Sequence, residues 1–456
     1  MAREDLTRLD RLQTYLREMT QGMGRRERLE ALTDYLRGLM LDGERKSLQP
    51  MAARLVADDG DAEACRQRMQ QAVVVASWDE RELYRRVCSK VVEGLSDLDA
   101  LVIDDTGFVK KGRYSPGVHR QYSGTLGRTD NCQVAVSLHL ASPTAGACIG
   151  MRLFLPEAWN DDEERRRRAK IPRDVKHREK WRLALDLLDD RREWGLPDVC
   201  VLADSGYGDA RGFRAGLRQR EFTYVVGVNG KTSVWAHGRL PLSPEQRRAR
   251  QRGKRKRGQP ITAWARDLKP QQIKDVVAEL PDDAWSEYEW TNGDGETRSG
   301  VFTAMRIRTA HRACAGTPPG DPQWMLVQRS EGEEKHKYWL SNLPEDEDPG
   351  RLIYLAKLRW RIERDYQEMK GELGLDHFEG RTWSGFHHHC ALVAAAHAFI
   401  ALERALFPPG PTHAAEVQAA AAGRHPDGDR SMPTVQAALR RRRRGARTTV
   451  DVIKPY

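Results

Sequence analysis

PGRLIYLAKLRWRIERDYQEMKGELGL, residues 349–375, is written as a helix. Asp346, Glu347 and Asp348 favour the positive end of a helix dipole, and Pro349 suits a first helical position. Gly371 and Gly374 mark where the helix should end. At about 100° per residue, Arg359, Glu363, Tyr366 and Lys370 fall within one narrow arc. Leu355, Leu358, Ile362, Met369 and Leu373 form an apolar stripe beside it. An acid flanked by two cations thus lies at the edge of the face that a core would bury. A salt-bridged surface helix shows the same i,i+4 spacing, so the stretch takes its meaning from what surrounds it.

Upstream, two strands end in acids. LDALVIDD (98–105) is a short apolar strand closing on Asp104 and Asp105, and DVCVLADSGYGD (198–209) is another that ends in Asp204. Val134, Val136, Leu138 and Leu140 alternate as in a strand, and CIGMRLFL (148–155) offers a further one. Trp181, Ala184, Leu185 and Leu188 share a helix face, a second helix forms around Phe213 and Leu217, and FTYVVGV (222–228) is a fifth strand. The order β-β-β-α-β-α-β predicts an α/β fold, a mixed sheet with helices against it.

The remaining chain divides around that core. Residues 1–95 read as an all-helical region, with Leu6, Leu9, Leu12 and Leu16 and then Leu29, Leu32, Leu36 and Leu39 at helical spacing; Ser77 and Glu80 suggest a capping box. Residues 96–228 and 344–406 make the core, the latter ending in an Ala-rich apolar helix (390–406). Residues 229–343 break the pattern. They hold the basic run RRARQRGKRKRGQ (247–259) and strand-like pieces whose Asn292-Gly293 and Asp294-Gly295 look like hairpin turns, predicting a β-rich insertion ahead of the last core helices. A low-complexity basic tail, 407–456, is expected to be loosely ordered.

Bulk chemistry narrows the partners. The 456 residues carry a net charge of +10 and a pI near 9.3, which favours an anionic partner, most simply nucleic acid. No apolar run of about 18 residues is evident, so no membrane span is expected. MAREDLTRLD is too charged for a signal peptide, and seven cysteines without CxxC spacing point to a reducing cytoplasm. Three carboxylates brought together by a fold would repel unless divalent cations held them, and such oxygen-rich sites suit Mg²⁺ or Mn²⁺. Two such ions about 3.5–4 Å apart serve phosphodiester chemistry. Taken singly, strand-end acids are also ordinary turn formers.

IDDTGFVKKG, LADSGYGD and LRWRIERDYQEMKGELGLDHFEGRTWSG, in that order, closely resemble the three catalytic blocks of bacterial insertion-sequence transposases. These are DDE enzymes of RNase H-like fold whose third block carries a Tyr-Arg-Glu-Lys signature. The resemblance runs from about residue 30 to 405. It implies metal ligands at Asp105, Asp204 and Glu363, holding two Mg²⁺ ions or their Mn²⁺ substitutes. It implies DNA phosphate contacts from Arg359 and Lys370. The signature's tyrosine belongs three residues before the arginine, where this chain has Ala356; Tyr354 and Tyr366 are the candidates to replace it. Asp104 and Asp105 point to opposite faces of a strand, and the family pattern of an Asp followed directly by Thr or Ser selects Asp105.

The implied activity is cut-and-paste transposition in the bacterial cytoplasm: cleavage at the terminal inverted repeats, then strand transfer into target DNA, by a dimer in the synaptic complex. The helical N-terminal region would help bind the repeats. Two other readings keep the same fold: a catalytically inactive DNA-binding repressor or accessory protein, and an RNase H-like nuclease without strand transfer. His387, His388 and His389 are expected to serve packing or DNA contact rather than metal, since adjacent residues of a helix point in different directions. Trp264, Trp285, Trp290, Trp324 and Trp339 read mainly as core or strand residues of the insertion.

Overall fold

The structure is a computed structural model that describes residues 7–56, 60–124, 127–236, 239–250, 264–265, 268–291, 297–310, 318–330 and 336–407. The basic run beyond residue 250, the two Gly-containing hairpin turns at 292–295 and the tail from 408 lie outside these residues.

The N-terminal region is helical, as its leucine spacing predicts. It comprises α1 (Arg8–Thr20), α2 (Arg26–Met40), α3 (Leu48–Leu55), α4 (Ala62–Gln70), a π-helical turn at Gln71–Val75, and α5 (Glu80–Gly94). A reciprocal capping box of Thr7 and Asp10 starts α1. Helix α5 is capped by Asp79, which accepts the Arg81 N–H, and not by Ser77. Leu16, Leu32, Leu36, Leu83 and Val87 share one buried cluster with residues of the sheet and of the last helix, so these helices have no separate core.

The central strands are β1 (Ala100–Val109), β2 (His119–Ser123), β3 (Arg128–Ala141) and β4 (Gly146–Leu153), then β5 (Cys200–Ala203) and β6 (Tyr224–Val228). Between β4 and β5 run α6 (Glu163–Arg168) and α7 (Lys180–Arg192); between β5 and β6 run α8 (Ser205–Gly208) and α9 (Arg211–Gln219). β1 lies antiparallel to β3 and parallel to β5, and β5 parallel to β6. β2 is an addition to the strands expected. Its HRQYS has no apolar alternation because it is an edge strand, paired to β3.

The insertion holds β7 (Ser233–Ala236), α10 (Pro244–Arg250), β8 (Gln271–Gln272), α11 (Ile273–Ala278), β9 (Ser286–Thr291), β10 (Thr297–Thr309), β11 (Pro322–Gln328) and β12 (Lys337–Ser341). It is β-rich, and it extends the core sheet. β12 pairs antiparallel with β6, giving one 12-stranded sheet in the order β2-β3-β1-β5-β6-β12-β11-β10-β7-β8, with β4 on β3 and β9 on β10.

Three helices finish the described chain: α12 (Pro349–Leu358), α13 (Trp360–Gly371) and α14 (Trp383–Leu406). Asp348 caps α12 by accepting the Gly350 N–H. The single helix expected over 349–375 is interrupted at Arg359, which closes α12 and opens α13. Leu352, Ile353, Leu355, Leu358 and Ile362 pack on Ala100 and Val102 of β1 and on Cys200 and Leu202 of β5. The alternate residues Leu101, Ile103, Val201 and Ala203 join the cluster that holds Leu185 and Leu188 of α7 and Phe213 and Leu217 of α9. Each fully buried Leu, Ile or Val among them contributes about 1.5–3 kcal/mol, and the two clusters fix which way the apolar residues of β1 and β5 point.

Helix α14 is long and apolar enough to cross a bilayer, which the search for an apolar run had not anticipated. Its most apolar window is 72% buried against protein, as in a core helix. The whole is a large mixed sheet with flanking helices, the α/β architecture expected.

Candidate active site

The site is set by strand register. β1 and β5 pair in parallel as Ala100↔Cys200, Leu101↔Val201, Val102↔Leu202 and Ile103↔Ala203. The next residue on each chain is an acid, Asp104 and Asp204. Paired residues of parallel strands share a face and successive residues alternate, so Asp104 and Asp204 belong with Val102 and Leu202 on the face covered by α12 and α13. Asp204 also caps α8, its Oδ1 accepting the Gly206 N–H at 2.9 Å. Helix α8 can press onto the sheet because Gly208 meets Gly227 of β6, where an added Cβ would come within 1.8 Å of the Gly227 carbonyl oxygen.

Helix α13 brings the third acid over this face. Arg359 donates from Nη1 to Asp104 Oδ2 at 2.9 Å and from Nη2 to Glu363 Oε1 at 3.0 Å, joining a strand acid to a helix acid. The Glu363 side chain is 64% exposed and that of Asp104 only 17%. Burial pushes the Asp104 carboxyl up to about 6; the Arg359 guanidinium opposes that shift, while the negative charges of Asp204 and Asp105 add to it. Lys370, one helical stretch further on, donates to the Gly107 carbonyl at 3.0 Å and has its ammonium pulled below the usual range by burial. Arg359 at the head of α13 and Lys370 in its last turn therefore both reach β1.

Asp105 stands elsewhere. It belongs with Leu101 and Ile103 on the opposite face, where its Oδ2 accepts from Lys180 Nζ of α7 at 2.8 Å. The structure thus brings Asp104, and not the Asp105 chosen for its following threonine, onto the face of Asp204 and Glu363. Tyr366 is half-buried with its hydroxyl on Ser137 Oγ at 2.5 Å, and Tyr354 is spent on Asp99 at 2.7 Å. Ala356 is buried in the α12 core.

Behind Tyr366 lies a polar chain that the sequence reading missed. Asp365 Oδ2 meets His139 Nδ1 at 2.8 Å, and His139 Nε2 meets Ser137 Oγ at 3.1 Å. Asp365, His139 and Ser137 are all fully buried, and Ser137 is the β3 residue directly opposite Asp104. The available signal was His139 within the alternating run at 134–140. This chain ties α13 to the strand that backs Asp104.

The three adjacent histidines point in three directions. His387 Nε2 accepts the Leu153 N–H, His388 bonds the Val73 and Trp78 carbonyls, and His389 meets Tyr35 and the Leu375 carbonyl. Among the insertion tryptophans, the rings of Trp290 and Trp339 lie 4.4 and 5.7 Å from Lys357 Nζ of α12, and Trp324 donates to the Pro344 carbonyl. The six cysteines among the described residues are buried.

Among the described residues, no three acidic, histidine or cysteine side chains stand together as a finished metal cage. The donors nevertheless fit a hard divalent cation: Asp104 lies within β1, which runs on to Val109 instead of closing at the acids, Asp204 follows the end of β5, and Glu363 offers a further carboxylate from α13. What stands between the sheet acid and the helix acid is the Arg359 guanidinium.

Comparison with known proteins gives the family. A profile described as DDE superfamily endonuclease matches residues 18–297, more than half of the chain. That span includes Asp104 and Asp204 and stops before α12 and α13. A probable transposase for insertion sequence element IS701 from Microchaete diplosiphon is 30% identical over 202 residues, 43% of this chain and 48% of the relative. The similarity therefore spans about half the length of that relative.

Proposed function

The chain belongs to the DDE superfamily endonucleases, and we propose that it is a DNA transposase that cleaves the ends of its own element and joins them to target DNA. The observation that carries this reading is the placement of Asp104 within β1 and of Asp204 just past β5, on adjacent parallel strands, with Arg359 linking Asp104 to Glu363. The similarity to the probable IS701 transposase supports the choice of transposition over other endonuclease chemistry.

Asp104 and Asp204 would hold divalent cations from the sheet, and Glu363 would complete the set from α13. Two Mg²⁺ ions, or Mn²⁺, would activate the attacking water or hydroxyl and stabilise the leaving oxygen of an in-line displacement. Arg359 and Lys370, at either side of Glu363 on one helix edge, grip DNA phosphate next to the scissile bond. Tyr366 positions α13 through Ser137 instead of touching DNA. Asp105 holds Lys180 on the far face and ligates no metal. The same site serves end hydrolysis and attack by the freed 3′-hydroxyl, because both are phosphoryl transfers to an oxygen nucleophile.

The excess of positive charge suits a duplex partner. The N-terminal helices recognise the terminal inverted repeats, and two copies of the chain hold two ends in the synaptic complex. The test is purified protein with Mg²⁺ or Mn²⁺ and DNA carrying its element's ends. Nicked and joined products from the wild type, absent with Glu363→Gln, are expected. Identical behaviour of the two proteins contradicts the proposal, and cleavage without joining assigns the chain to hydrolytic nucleases.

A further inference from the structure

Arg359 occupies an unusual position for a residue expected to hold DNA. It sits in the interruption between α12 and α13, where the chain keeps helical angles (φ −55°, ψ −25°) but belongs to neither helix. Its side chain is 27% exposed, and its two terminal nitrogens are divided between Asp104 on the sheet and Glu363 on the helix. A guanidinium stays charged at every accessible pH, so it can leave these acids only by turning away. The oxygens it holds are those a divalent cation needs, and a carboxylate oxygen cannot be fully committed to both.

We propose that Arg359 is a placeholder cation: in DNA-free protein it holds Asp104 and Glu363 in its own grip, and it releases them to metal when a DNA phosphate engages its guanidinium. This rests on the transposase reading above and deepens it. Arg359 then has two alternative partners, the acids or the phosphate. Charge balance holds in both states, because the cation lost from the acids is replaced by a divalent ion while the arginine neutralises DNA. By linkage, DNA and metal each strengthen the other's binding. Metal chemistry is thereby confined to protein that carries its substrate. Arg359 stands at the break between α12 and α13, while Leu358 and Ile362 close to it are packed into the core.

The test uses Mn²⁺ alone and full-length protein without DNA, with free Mn²⁺ followed by electron paramagnetic resonance. Arg359→Ala is expected to bind Mn²⁺ at least tenfold more tightly than the wild type, although it removes a residue assigned to DNA. Arg359→Gln, which keeps the packed stem, is expected to do the same and covers the case in which the alanine variant misfolds. Arg364→Ala removes the same charge from the outward side of α13, where Arg364 pairs with Glu368. It should leave Mn²⁺ affinity within about twofold. Adding a short duplex should tighten Mn²⁺ binding to the wild type and not to the Arg359 variants. Equal or weaker binding by folded Arg359 variants overturns the placeholder role, as does equal tightening by Arg364→Ala or a wild type indifferent to duplex. Absence of Mn²⁺ binding by every protein overturns the metal site beneath it, whereas the cleavage assay with Glu363→Gln judges the transposase reading independently.

Discussion

Asp104 and Asp105 are neighbours in sequence and identical in chemistry, yet the sheet sends them into different worlds. On the α13 face, Asp104 is mostly buried, in register with Asp204 and bridged by Arg359 to Glu363. On the α7 face, Asp105 meets a single partner, Lys180, at 2.8 Å. The first face gathers acids in excess of nearby cations; the second balances one acid with one lysine. Strand alternation alone creates the two faces, and the parallel register with β5 decides which of them becomes a site. A motif that names a pair of neighbouring residues cannot say which of them faces the helix acid, because a motif carries no parity.

The contrast predicts unequal consequences for substitutions on the two faces. Asp204→Asn should lower metal-dependent nicking of a plasmid carrying the element ends by roughly a thousandfold or more, about 4 kcal/mol of barrier, with the melting temperature little changed. Lys180→Ala, on the other face, should lower it by less than about tenfold. Similar losses from both would erase the distinction between the faces.

Gly208→Ala should destabilise the fold by about 3 kcal/mol or more, seen as a lower denaturant midpoint. An added Cβ would collide with the Gly227 carbonyl oxygen and lift α8, with Asp204 at its start, off the sheet. A variant as stable as the wild type would show that the Asp204 corner is not built by this contact.

A smaller effect should appear in acid. Burial pushes the Glu368 carboxyl up, but His397, Arg364 and Arg404 outweigh it and hold the group well below its ordinary 4.5. A depressed folded-state value contributes stability that is present above pH 4.5 and lost as pH falls below it. Glu368→Gln should therefore show a shallower loss of melting temperature between pH 5 and 3 than the wild type. An unchanged acid limb would mean that this side of α13 is anchored by packing alone.

Much of this was legible beforehand. The pairing of Arg359 with Glu363 followed from helical spacing, and Asp204 at a strand end followed from an apolar run with a definite stop. What stayed hidden depended on pairing between distant segments. β1 is buried on both faces, so its apolar pattern is continuous and cannot say which acid looks where. The junction of β12 with β6, which merges the insertion with the core sheet, is likewise a register fact. The interruption at Arg359 escaped because no proline or glycine marks it. His139 and Asp365 escaped because a buried polar pair resembles two unrelated polar residues until the fold joins them.

The assignment of Asp104 and Asp105 to opposite faces is tested most directly by comparing Asp104→Asn with Asp105→Asn in Mn²⁺-dependent cleavage of the element ends. Loss of cleavage in Asp104→Asn, with Asp105→Asn retaining most of its activity, is the predicted result. Loss in Asp105→Asn with cleavage intact in Asp104→Asn would contradict it.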